Sequence, residues 1–245
     1  VIADDGSGNE TKEIIGRFKQ NSDLHIVHVW HEDNGFQKTE ILNKAILETT
    51  SDYLIFTDGD CIARADFIET HISFKEEGYF LSGGYFKLPM KISEQITEQD
   101  IKSGNCFKIS WLKENGLKNS FKNNKISSGK IKSKILNLLT PTKATWNGHN
   151  ASGWKSDILA VNGFDQRMQY GGEDRELGER MFNLGIKAKQ IRYSAICLHL
   201  DHERGYVKPE MIKKNLAIRA TTKKDKSTWT EFGIKKLSKT DSKNE

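Results

Sequence analysis

Two carboxylates flank a glycine at Asp58-Gly59-Asp60, directly after the apolar run Tyr53-Leu54-Ile55-Phe56. A short apolar run bounded by turn residues predicts a buried strand. Ligands of open α/β sheets bind beyond the carboxyl ends of the strands. Carboxylates delivered there suit a hard divalent cation, with diphosphate oxygens completing its shell. An ordinary acidic turn uses the same residue types. A second acidic pair, Glu173-Asp174, follows Gly171-Gly172 and opens a predicted helix with apolar positions Leu177, Met181, Phe182 and Leu184. The helix dipole keeps a first-turn carboxylate ionised, and an ionised carboxylate facing a cleft takes a proton from a hydroxyl. Gly171 and Gly172 let a ligand approach the backbone closely, although first-turn acids also stabilise helices without any chemistry. His199 stands at the end of the strand-like run Ala195-Ile196-Cys197-Leu198, and neutral imidazole ligates transition metals such as Mn.

Other candidates are turn and helix residues. Asp4 or Asp5, in the turn after Val1-Ile2-Ala3, can accept from a base N–H or a ribose hydroxyl, and Asp-Gly is also a common turn pair. Lys38 or Lys44 can face a diphosphate, or stand as an exposed helix lysine.

These groups need a scaffold of alternating strands and helices. Val1–Ala3 reads as the end of a strand, Thr11–Gln20 as a helix and Leu24–Trp30 as the next strand, parallel to the first. A helix with the stripe Ile41, Leu42, Ala45 and Ile46 begins at Thr39. A shorter helix carries Phe67, Ile68, Ile72 and Phe74. Tyr79–Phe86 reads as a strand broken at Gly83-Gly84, where another segment or a ligand comes close. Residues from about 89 to 145 read as a partly helical, lysine-rich insertion. Within it Ile131, Ile135, Leu136, Leu138 and Leu139 predict an amphipathic helix with a basic face. Such a helix can lie on an anionic membrane, and packing against its own domain is the simpler expectation.

The chain has 245 residues, 36% hydrophobic and 29% charged, so it can form one large α/β domain or two small ones. No apolar run approaches a membrane span, and no signal peptide or initiating Met is present, so the chain reads as part of a longer cytoplasmic protein. Cys61, Cys106 and Cys197, odd in number and far apart, fit a reducing compartment without a disulfide framework. Net charge is +5, and from Cys106 to Lys143 nine lysines face one acid, Glu114. That suits an anionic polymer, an anionic membrane or plain solvent. No nucleic-acid recognition motif is present.

In combination these segments resemble a family 2 glycosyltransferase of the GT-A fold, from Val1 to about Tyr206. Asp4-Asp5-Gly6-Ser7 resembles the first nucleotide-binding turn. Asp33-Asn34-Gly35-Phe36 with Asn43-Lys44-Ala45 resembles the second. Asp58-Gly59-Asp60 matches the DXD motif, and Asn150–Asp157 with Asn162-Gly163-Phe164-Asp165 matches the loop before the acceptor site. Gly171-Gly172-Glu173-Asp174 and Glu176–Arg180 are similar to the acceptor motif of chondroitin-polymerase-like enzymes and beta-1,4-galactosyltransferases. The resemblance implies a mixed, mostly parallel α/β sheet flanked by helices and carrying the insertion, with a basic tail over residues 207–245. It implies that most of the first strand precedes Val1. It implies an inverting transferase that moves a sugar from a nucleotide-diphosphate sugar, a UDP-sugar by expectation, to a saccharide or lipid-linked saccharide acceptor in bacterial surface polysaccharide or lipopolysaccharide synthesis. Asp174 would be the base. Asp60 and His199 would hold Mn or Mg. Asp4, Asp5, Lys44, Asp58, Asn150, Trp154, Gly172 and Glu173 would bind substrates, Trp154 as a stacking platform. The cytoplasmic enzyme would touch the membrane at its periphery. A nucleotidyltransferase, or a non-catalytic carbohydrate- or membrane-binding module, is the competing reading.

Overall fold

The computed structural model describes residues 1–203, 205 and 207–235. Along the chain run β1 (Ile2–Asp4), α1 (Asn9–Asn21), β2 (His28–Trp30), α2 (Lys38–Glu48), β3 (Tyr53–Phe56), β4 (Cys61–Ala63) and α3 (Phe67–Phe74). Next come β5 (Tyr79–Ser82), β6 (Gly84–Lys87) and helices α4 (Met90–Gln95), α5 (Glu98–Lys102), α6 (Ile109–Glu114), α7 (Asn124–Ser127) and α8 (Lys130–Leu139). The chain continues through β7 (Ala151–Trp154), α9 (Lys155–Ala160), α10 (Glu173–Asn183), β8 (Lys187–Gln190), β9 (Ile196–His199) and α11 (Pro209–Lys224). This is a mixed α/β fold with sheets flanked by helices. The expected parallel character is only half met. Parallel pairings β1–β2, β5–β8 and β6–β9 are matched by antiparallel pairings β3–β7, β4–β9 and β5–β7.

The chain forms two compact units. One comprises residues 1–52, 155–185 and the segment from 205 onward. In it β1 and β2 pair in parallel, Ile2 opposite His28 and Asp4 opposite Trp30. The strand expected from Leu24 begins only at His28, because β1 offers three residues to pair with. Helix α2 buries Ile41, Ala45 and Ile46 on its apolar stripe, together with Thr39 and Asn43. The stretch read as a tail contains the sixteen-residue helix α11, and residues 236–245 lie outside those described.

The other unit comprises residues 53–154 and 186–204. It holds two sheets, ordered β3-β7-β5-β8 and β4-β9-β6. The glycine break in Tyr79–Phe86 divides that run between them, because β5 belongs to the first sheet and β6 to the second. At the break the Gly83 N–H donates to the Asn150 carbonyl at 2.8 Å. A Cβ on Gly83 would lie 1.8 Å from the Asn150 Oδ1, so only glycine fits. In α3 the buried side chains are Phe67 and His71, whereas Ile68 and Ile72 are exposed.

The insertion is part of this unit's core. Ile92, Cys106, Leu112 and Ile126 cluster with Phe86 of β6 and Leu198 of β9. The expectation that the apolar side of α8 packs inward is overturned for four of its five residues, since Ile131, Ile135, Leu138 and Leu139 are exposed and Leu136 is half-buried. Among the described residues no helix is long and apolar enough to cross a membrane.

Candidate functional site

The Asp-Gly-Asp turn is built by β3 and β4. After β3 ends at Phe56, the Cys61 N–H donates to the Asp58 carbonyl at 3.1 Å and closes the turn. Strand β4 then pairs antiparallel with β9, Cys61 opposite His199. That register sets Asp60 beside the end of β9, where the Leu200 N–H donates to the Asp60 carbonyl at 2.9 Å. The His199 Nε2 lies 3.4 Å from the Asp60 Oδ2, and the His202 Nε2 lies 3.0 Å from the same oxygen.

The other ring nitrogens face backbone carbonyls. The His199 Nδ1 lies 2.8 Å from the Leu200 carbonyl and the His202 Nδ1 lies 2.7 Å from the Glu203 carbonyl. A carbonyl only accepts, so each Nδ1 carries a hydrogen and each ring turns its Nε2 toward the Asp60 carboxylate. A ring protonated at Nε2 donates to that carboxylate, and a ring without that proton offers its Nε2, together with the Asp60 oxygen, to a cation. Backbone carbonyls that fix the tautomer and orientation in this way are typical of metal-ligating histidines. Asp60, Cys61 and His199 can hold a metal ion, their ligand atoms lying within 4.8 Å of one another. The carboxylate and imidazole donors fit Mn better than Mg, which prefers oxygen. Tyr85 packs its ring 5.3 Å from that of His199 and 4.5 Å from that of His149. Sequence reasoning missed His202, although the spacing His199-x-x-His202 after a strand end was there to read.

In the first unit, α10 presents the second acidic pair. Gly171 (φ 110°) and Gly172 (φ 87°) occupy left-handed backbone before it, a region that glycine adopts freely. The Gly171 N–H donates to the Glu173 Oε2 at 2.8 Å, and the buried Asn215 of α11 donates from Nδ2 to the carbonyls of Gln169 and Gly171. A Cβ on Gly172 would meet the Arg219 Nη1 at 3.1 Å, so that glycine makes room for α11. Burial pushes the Glu173 carboxyl above its ordinary pKa, and the neighbouring Asp174 charge adds to this. Asp174 is partly exposed on the first turn, its Oδ1 accepting from the Arg175 N–H at 2.7 Å.

Further down α10, Arg180 is fully buried against Glu176. Its guanidinium also donates to the carbonyls of Val161 and Gly163. Asn43, read with the second nucleotide-binding turn, clamps the next residue. Its Nδ2 donates to the Phe164 carbonyl at 2.8 Å, and its Oδ1 accepts from the Phe164 N–H at 2.8 Å.

Several residues expected to touch substrate also bond within the fold. Asp4 is buried, with Oδ1 accepting from the Ser7 N–H at 2.9 Å and Oδ2 lying 2.8 Å from the His28 Nε2. Burial alone would raise its pKa, but the bonds from Ser7 and His28 outweigh it and hold the carboxyl below its ordinary value. Asp5 accepts from the His31 Nε2 at 2.7 Å and from the Gln37 N–H at 2.9 Å, which ties the first turn to the second. Lys44 lies 3.3 Å from the His31 Nδ1 and 3.0 Å from Glu40. Asn150 is fully buried, and its amide donates to the carbonyls of Gly84 and Ala195. Its Oδ1 lies 3.0 Å from His71, which burial pushes down to about 4. Asn150 is thus a strut between strands, not a ligand contact.

Trp154 stands at the far end of β3 from the Asp-Gly-Asp turn. It pairs with Tyr53 at the start of β3, whereas the Asp-Gly-Asp turn follows the end, about 10 Å along the strand. Its indole N–H donates to the Glu76 carbonyl, and the Lys75 ammonium lies 5.6 Å from its ring centre.

Comparison with known proteins bears on both units. The model of glycosyl transferase family 2 matches residues 1–129, just over half of the chain. A second model, described as N-terminal domain of galactosyltransferase, matches residues 142–203. The uncharacterized glycosyltransferase YfnE of Bacillus subtilis (strain 168) is 23% identical over 248 residues, covering 89% of this chain and 60% of that protein. The chain thus spans well under two thirds of that relative. Among solved structures, the mannosyltransferase PcManGT from Pyrobaculum calidifontis, in complex with GDP-Man and Mn2+, superposes with a TM-score of 0.51 at 16% identity. That match covers 89% of this chain and 58% of PcManGT, and at this identity it speaks to the fold alone.

Proposed function

The chain belongs to glycosyl transferase family 2, and we propose that it transfers a sugar from a nucleotide-diphosphate sugar, a UDP-sugar, to a hydroxyl of a saccharide acceptor with inversion at the anomeric carbon. The observation that carries this reading is the convergence of the Asp60 Oδ2 with the Nε2 atoms of His199 and His202. Asp60, His199 and His202 would hold Mn or Mg, with Asp58 in the same turn toward the donor. The bound ion supplies positive charge for the leaving nucleoside diphosphate. Asp174, on the first turn of α10, takes the proton of the acceptor hydroxyl. Glu173 braces the turn that carries Asp174 through its bond from Gly171. Assembly of a bacterial surface polysaccharide or lipopolysaccharide on a lipid-linked acceptor is the role we assign.

The test is calorimetric titration of UDP and of GDP, with and without Mn, alongside turnover. Mn-dependent UDP binding that Asp60→Ala abolishes, with Asp174→Asn sparing binding but lowering kcat by about 10²–10⁴, is the expected outcome. Near-normal turnover in both variants overturns the assignment. A preference for GDP overturns the uracil donor and leaves the transfer chemistry standing.

A further inference from the structure

Helix α8 is inside out. Its 3.6-residue period places Ile131, Ile135, Leu138 and Leu139 on one side and Ser133 and Asn137 on the other. A surface helix ordinarily buries the apolar side. Here Ile131 is 79% exposed, Leu138 85% and Leu139 70%. The polar side holds the helix down. Ser133 is buried, and its hydroxyl donates to the Ser128 carbonyl at 3.3 Å. The Asn137 Nδ2 donates to the Ser194 hydroxyl at 2.8 Å, while its Oδ1 accepts from the Tyr193 N–H at 2.8 Å. Phe121, 71% exposed, adds to the apolar surface of the same segment.

The charges around this stripe say what covers it. Lys132 and Lys134 flank it on either side of the helix, and both are exposed, as are Lys118, Lys122 and Lys130. No Asp or Glu occurs between Glu114 and Asp157. An apolar strip rimmed by cations matches the interface of an anionic bilayer, where acyl chains and acidic headgroups meet. A second copy of the chain is a poorer occupant, because an isologous contact would set one lysine rim against another in a chain of net charge +5. We propose that α8 seats the protein on an anionic phospholipid surface, with Ile131, Ile135, Leu138 and Leu139 at the acyl boundary and Lys132 and Lys134 among the headgroups. The inference rests on this surface alone and is independent of the transfer chemistry.

Vesicle flotation of the full chain tests it, comparing phosphatidylcholine alone with phosphatidylcholine containing phosphatidylglycerol. The expected result is flotation with the anionic vesicles, at least tenfold weaker with the neutral ones and weakened by salt. Ile135→Asp with Leu138→Asp should lower partition at least tenfold. Lys132→Glu with Lys134→Glu should lower it about 25-fold or more, since each lysine near an anionic surface contributes about fivefold. All four side chains are exposed, so an unchanged circular dichroism spectrum is expected of both variants. Absence of flotation, equal flotation with neutral vesicles, or flotation unchanged in both variants overturns the proposal. A dimer in sedimentation that Leu138→Asp dissolves, with no flotation, also overturns it and makes the stripe a protein interface.

Discussion

Replacing Arg180 by Met tests the claim that α10 is fixed from below by one buried ion pair. Arg180 is 1% exposed and Glu176 0%. The guanidinium donates to Glu176 from Nε at 2.9 and 3.0 Å and from Nη2 at 2.7 Å. Nη1 reaches the Val161 carbonyl and Nη2 also reaches that of Gly163, so the turn before Phe164 depends on it as well. Methionine fills much of the volume but leaves the Glu176 carboxylate buried, with the Thr222 hydroxyl at 2.9 Å as its remaining donor among the described bonds. Breaking a buried pair from one side costs about 3–5 kcal/mol. At about 2–4 °C per kcal/mol for a chain of this size, the unfolding midpoint should fall by about 6–20 °C. Thermal unfolding followed by circular dichroism measures this. The double variant Glu176→Met with Arg180→Met removes the stranded charge and should recover part of the loss, though the two carbonyls remain without their donor. A midpoint within about 2 °C of the parent for Arg180→Met, or a double variant less stable than Arg180→Met, refutes the reasoning. Turnover of Arg180→Met should fall further than its stability alone requires, because Asp174 sits on the same helix.

Glu173→Gln should stabilise the protein at neutral pH. Burial raises the folded carboxyl above its unfolded value, so wild-type stability is lost as pH rises from about 4.3 through the folded pKa. The glutamine oxygen still accepts from Gly171 but never ionises. Urea unfolding at pH 7 should favour the variant, and the two proteins should converge below about pH 4; the opposite order at pH 7 would mean that a cation offsets the buried charge. His202→Ala should weaken Mn binding at least tenfold by calorimetry while leaving the thermal midpoint within about 2 °C, and unchanged affinity would remove His202 from the ligand set.

The order of the chemistry was legible because each piece of it is local. A strand that ends in Asp58-Gly59-Asp60 and a helix that opens after Gly171-Gly172 are written in neighbouring residues, and the structure has both. What stayed hidden depends on partners far along the chain. Asp4 and Asn150 read as ligand contacts because nothing local shows that His28 claims one and that Gly84, Ala195 and His71 claim the other. The glycine break at Gly83 was visible as a break, but its cause, the side chain of Asn150, lies 67 positions away in the sequence.

Helix α8 shows the same limit from the opposite direction. Periodicity identifies which side of a helix is apolar, not which side faces the protein. The inward side is chosen by what the neighbouring segment offers, and here Tyr193 and Ser194 offer an N–H and a hydroxyl that only a polar residue can engage. Asn137 meets both, and the apolar stripe is carried outward as a consequence. The metal-ligand candidates follow the same logic. His199 was readable as the end of a strand, but the backbone carbonyls of Leu200 and Glu203, which hold the two Nδ1 hydrogens and turn both Nε2 atoms toward one carboxylate oxygen, were not. Carbonyl positions belong to the folded backbone, so the ligand type can be read from the sequence and the orientation of the rings only from the fold.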